Sequence, residues 1–146
     1  MIKDNYLFRN KNVTAWVLLV LAMGLHVFDE AINNFLDFYN PLVFDLRDSL
    51  GFFPMPTFPL GLWLTGLIVA IAIGFALTPV VNRGSRFIRI LTIVIGIIMI
   101  GNGLGHMLGS LYFERLLPGF WSSPFLLAAA VFVVVRGFRG SWQYKE

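Results

Sequence analysis

The 146 residues contain no cysteine, which excludes disulfides and thiolate metal ligands and leaves His, Asp, Glu or Asn to hold any metal. Charge is scarce as well. Only 13% of residues are charged while 58% are hydrophobic, and the mean hydropathy of +0.77 exceeds what a soluble core of this size requires. The sequence contains no internal repeat, no separate soluble domain, and no basic and aromatic patch suited to a nucleic acid. These absences describe a membrane protein, and its net charge of +3 is better explained by orientation in a bilayer than by an anionic partner.

What is present is a set of apolar runs separated by short polar clusters. The pattern predicts an all-α, polytopic four-transmembrane-helix bundle in one domain, residues 1–146, with spans near 13–38, 60–80, 87–111 and 121–138. Asn40-Pro41 is expected to end the first span, because proline disfavours helix in the residue before it. A short interfacial helix should follow over 41–50, with Asn40 as its cap. Three prolines and three phenylalanines in Phe52-Phe53-Pro54-Met55-Pro56-Thr57-Phe58-Pro59 predict a flexible interfacial flap between spans one and two. The first span is too long, and too acidic at its centre, for a cleaved signal peptide. Gly61, Thr65 and Gly66 in the second span, and Gly101, Gly105 and Gly109 in the third, are small residues at spacings that allow close helix approach. Ser122 or Ser123 is expected to cap the fourth helix, with Pro124 in its first turn.

Nine of the eleven basic residues lie in three segments: Lys3, Arg9 and Lys11; Arg83, Arg86 and Arg89; Arg136, Arg139 and Lys145. Counted by the positive-inside rule, both termini are cytoplasmic and the membrane is the cytoplasmic (plasma) membrane.

The costly residues stand inside the apolar runs. His26, Asp29 and Glu30 occupy the middle of the first, where a charged group at bilayer centre costs on the order of 2.5 to 3.5 kcal/mol. At about 100° per residue, His26, Glu30, Asn33 and Asp37 form one stripe with Asp29 beside it. Asn102 and His106, four apart, share a face of the third span. Counted from the cytoplasmic ends at about 1.5 Å per residue, both groups lie past mid-span, in the outer half of the membrane.

His26-Val27-Phe28-Asp29-Glu30 followed by Asn102-Gly103-Leu104-Gly105-His106 resembles the family of small integral membrane proteins named for its HXXEE motif, with Asp at the fourth position where the name has Glu. The resemblance implies a shared polar site and supplies no reaction, since no function is established for that family.

Two imidazoles and one carboxylate form the ligand set of several catalytic zinc sites and of the facial triad that holds non-haem iron. Here His26, Glu30 and His106 would be ligands, with Asp29 a fourth ligand or a general base and Asn102 an orienting group. Zinc is preferred and iron placed second, because nothing suggests a route for electrons. The expected function is a membrane-embedded metal-dependent hydrolase acting on a lipid or another apolar substrate among membrane lipids. The competing classes are a proton or ion relay that uses the same residues without metal, as a homo-oligomer, a non-haem iron oxidase, and a structural subunit. Glu114 next to Arg115 reads as a solvated ion pair, Asp37, Asp45 and Asp48 as surface charges, and Trp16, Trp63, Trp121 and Trp142 as interfacial belt residues.

Overall fold

The computed structural model describes residues 10–139, so Lys3, Arg9, Trp142 and Lys145 lie outside the described residues. Those described form six helices joined by turns and one extended segment, without strands: α1 Lys11–Ile32, α2 Phe35–Leu50, α3 Leu60–Ala76, α4 Thr78–Arg83, α5 Arg86–Tyr112 and α6 Ser123–Arg139. Three stretches, Lys11–Ile32, Leu60–Arg83 and Arg86–Tyr112, are long and apolar enough to cross a membrane. The helix α6 is apolar too but has 17 residues, roughly 25 Å of helix against a hydrocarbon core of about 30 Å.

The first helix stops at Ile32, short of the expected residue 38, and proline is not the reason. The Asn33 side chain folds back onto the Asp29 carbonyl at 2.9 Å, and Asn34 takes a left-handed φ of 55°, a conformation asparagine tolerates better than most residues. A new helix starts at Phe35 and carries Pro41 inside it. Asn40, expected as a cap, instead donates to the Phe58 carbonyl and accepts from the Phe58 amide. Tyr39 donates to Pro56 and Arg47 to Phe53 and Met55, so the segment from Gly51 to Pro59 is an extended strap fastened along α2, not a free flap.

The second apolar run is nearly continuous helix. Its ladder is interrupted at Leu77, because Pro79 has no N–H to donate one turn back. The short turn through Gly84 then reverses the chain, and the Ser85 hydroxyl caps α5 by accepting from the Ile88 amide at 3.1 Å.

Packing is uneven. The helices α5 and α6 form a close antiparallel pair, and α6 also packs on α1 through Ala15, Leu19 and Ala22 against Leu126, Ala130 and Val133. The glycines that permit this are Gly96 and Gly103 on α5 and Gly137 on α6, not those expected. A Cβ on Gly96 would come within 2.7 Å of Val134, and one on Gly103 within 3.3 Å of the Ser123 carbonyl, whereas Gly61, Gly66, Gly101 and Gly105 have open space in front of them. Gly109 alone of the expected third-span row meets a neighbour, Leu117. On the other flank, α3 reaches α1 through Gly74, whose carbonyl accepts from the buried Trp16 indole at 2.8 Å. Trp16 is therefore a core residue, not a belt residue. An apolar cleft of about 240 Å³ separates α3 from α5, floored by Trp16, Val20 and Met23.

Candidate metal centre

One turn of helix puts His26 and Glu30 on the same face of α1, and the face of α5 that carries Gly96 and Gly103 also carries His106 toward them. All three residues are buried, with 3%, 5% and 8% of their surface exposed. Glu30 Oε1 lies 3.1 Å from His106 Nε2 and 3.6 Å from His26 Nε2, and one donor atom from each of the three falls within 4.8 Å of the others. Neighbouring ligands of a tetrahedral ion held at about 2.0–2.2 Å stand roughly 3.3–3.6 Å apart, close to the two carboxylate–imidazole distances, so the group could hold a metal ion. The two imidazoles meet edge to face at 4.8 Å, and Phe35 covers His106 at 5.4 Å, backed by Trp63 at 5.8 Å.

Asp29, one residue before Glu30, points elsewhere. Its Oδ2 accepts from the backbone N–H and the hydroxyl of Ser122 at 2.9 and 2.7 Å, and its Oδ1 accepts from Asn33 at 2.7 Å. The carboxylate thus lies at the start of α6, where the helix dipole favours negative charge. Ser122 Oγ is also 2.8 Å from His26 Nδ1. A hydroxyl has one proton, and Asp29 as an ionised acceptor takes it. Oγ must then accept from His26 Nδ1–H, which fixes the tautomer and leaves the lone pair on Nε2. That Nε2 is fully buried and has no hydrogen-bond partner. In the neutral ring, His26 Nε2 therefore faces Glu30 Oε1 at 3.6 Å in an apolar interior, which is costly unless a cation, a metal ion or a proton on Nε2, lies between them.

Of the residues expected from sequence, His26, Glu30 and His106 are thus brought together, and Asp29 is held beside them through Ser122. Asn102 is exposed on α5, and its side chain comes within interaction range of the His26 ring. Glu114 and Asp37 do not join the cluster, and Glu114 makes no ion pair with Arg115 among the described residues. Two further contributors escaped the sequence reading. Ser122 was expected only as a cap, and the Pro118-Gly119 turn only as a connection. Gly119 has φ +86°, and a Cβ there would sit 2.9 Å from both His106 Nδ1 and His26 Cε1, so the bare backbone forms the lid over both rings. The available signal was depth: antiparallel spans place the 118–123 connection level with His26 and His106.

The family model that matches, over residues 16–134, is described as a protein of unknown function with HXXEE motif. No curated protein and no solved structure matches the chain.

Proposed function

Since the chain belongs to the HXXEE-motif family, whose description assigns no activity, we propose from the site alone that it is a membrane-embedded metal-dependent enzyme, a hydrolase acting on a lipid or another apolar molecule. The observation that carries this reading is the unpartnered, buried His26 Nε2 opposite Glu30. His26, Glu30 and His106 would hold the ion, zinc ahead of iron, and leave a position open. A zinc ion there supplies Lewis acidity and brings the pKa of a bound water down to about 7. Around it, Ser122 holds the His26 tautomer, Asp29 holds Ser122, and Gly119 with Phe35 excludes bulk water. Asp29 stands two hydrogen bonds from the imidazole, with Ser122 between them, placed to take the Ser122 proton as Ser122 takes that of His26 Nδ1.

In this proposal α6 completes a fourth span, both termini are cytoplasmic, and the site lies in the outer half of the plasma membrane, as the clustering of basic residues supports. Reporter fusions after Arg83 and at the C-terminus should both read cytoplasm.

Elemental analysis of the purified protein should find about one zinc or iron per chain. A wild-type protein free of metal after purification without chelators would overturn the proposal. The hydrogen-bonded line from Asn33 through Asp29 and Ser122 to His26 favours a second reading, a proton relay. Proton flux into liposomes that survives chelators, with no species changed in a lipid extract, would establish the relay in place of the enzyme.

A further inference from the structure

A second cavity, of about 310 Å³, opens beside the His26–Glu30–His106 cluster where α1 gives way to α2 and α5 gives way to α6. Asn33, Asp37 and Phe38 line one side, and Arg115, Pro118 and Trp121 the other. Its walls are fixed. Ser110, which is buried, ties the Arg115 segment down twice: its carbonyl accepts from the Arg115 amide at 3.1 Å and its hydroxyl from the Leu117 amide at 3.0 Å. The opposite wall is held by Asn33 on Asp29 and by the Asp37 amide on the Asn34 carbonyl at 3.0 Å.

Two full charges of opposite sign face this space without meeting. The Arg115 guanidinium lies over the Phe38 ring at 5.2 Å and has no hydrogen bond or ion pair. The Asp37 carboxylate has neither as well. Both residues are exposed, so each charge is open to a ligand arriving from solvent, with an exposed indole, Trp121, on the rim. The charge sum of the pair is zero, which disfavours a net anion and a net cation alike. A molecule carrying both a phosphate and an ammonium satisfies both groups at once: phosphate on the guanidinium, ammonium between the carboxylate and the indole face. The cavity lies at the ends of two membrane-crossing helices, flanked by exposed Leu116 and Trp121, where lipid headgroups are found.

We infer that this cavity binds the headgroup of a zwitterionic phospholipid. The lipid would be the substrate class of the neighbouring cluster, a step that rests on the enzyme reading; the binding itself does not. Pro118 lines the cavity and Gly119, the next residue, touches both imidazoles, so a bound headgroup would be one turn of chain from the metal ligands.

The test uses the full chain, equilibrated with mixed micelles of equal phosphatidylethanolamine and phosphatidylglycerol, then stripped of loose lipid and examined by native mass spectrometry. The wild type should retain phosphatidylethanolamine in preference. Arg115→Met should lower that retention by about tenfold, Arg115→Lys should restore most of it, and Asp37→Asn should remove the preference over phosphatidylglycerol. Equal retention of both lipids by the wild type, or unchanged retention in Arg115→Met and Asp37→Asn, would overturn the inference. Metal content measured on the same samples separates the two readings: a metal-free protein that keeps its lipid preference loses the enzyme proposal and keeps this one.

Discussion

The helices α1 and α3 are both apolar enough to cross a membrane, yet protein covers 44% of the spanning stretch of α1 and only 6% of that of α3–α4. The difference follows the charges. The helix α1 carries His26, Asp29 and Glu30, and each is surrounded: α5 brings His106, the start of α6 brings Ser122, and α2 lays Phe35 across the top. The helix α3 carries no ionisable residue, so lipid can solvate it, and Gly74 is its one buried residue. Burial in this protein is placed where polarity would be unaffordable in hydrocarbon, and withheld where it is not needed.

Substitutions can break this contrast, the largest effect coming from the cluster itself. His26→Ala and His106→Ala should each reduce bound metal to background in elemental analysis, because two remaining donors do not hold an ion tightly. Gly119→Ala is expected next: a non-glycine residue at this φ costs about 1–3 kcal/mol, and its methyl would press on both imidazoles. Its thermal midpoint should fall, and its metal should be lost to a chelator at lower concentration than in the wild type. Ser122→Ala leaves His26 Nδ1 without a partner and takes one of its three hydrogen bonds from Asp29, at a cost of about 1–3 kcal/mol, and should weaken metal binding by about 10- to 100-fold in competition titrations. Asp29→Asn should retain metal yet lose turnover, since an amide still accepts from the Ser122 amide but cannot take a proton. The smallest pair compares the two regions directly. Gly96→Ala should destabilise by about 1–3 kcal/mol through its contact with Val134 and Ala130, while Gly66→Ala, with nothing before it, should move stability by less than about 1 kcal/mol. Equal effects at Gly96 and Gly66 would mean that α3 is packed after all, against a second copy of the chain.

Much of the site was legible before any coordinates. His26 and Glu30 at i and i+4, with a second histidine on a later span, fix two faces by helical periodicity alone, and charge in lipid demands that those faces meet protein. The strap was half legible: prolines excluded helix, but nothing local foretold that Arg47, Tyr39 and Asn40 would bind its carbonyls and remove its freedom. The early end of α1 is not legible in the sequence, where Pro41 is the stronger local stop signal. Two asparagines did the work instead, one by folding back onto Asp29 and the other by taking a left-handed backbone.

The sequence by itself determined that this is a helical membrane protein with a polar cluster in its first and third spans, because hydrophobic run length and helical period are local quantities. Only the tertiary structure decided which glycines touch, whether Asp29 joins the imidazoles or stands behind Ser122, and that an Arg and an Asp face one cavity unpaired. Those outcomes depend on the rotation of one helix about its axis relative to another. A turn of about 100° exchanges Asp29 for Glu30 as the group beside His106, and a turn of about 170° exchanges Gly101 and Gly105 for Gly96 and Gly103 as the face in contact. No spacing within a single helix carries that angle; the packing of α5 and α6 against α1 sets it.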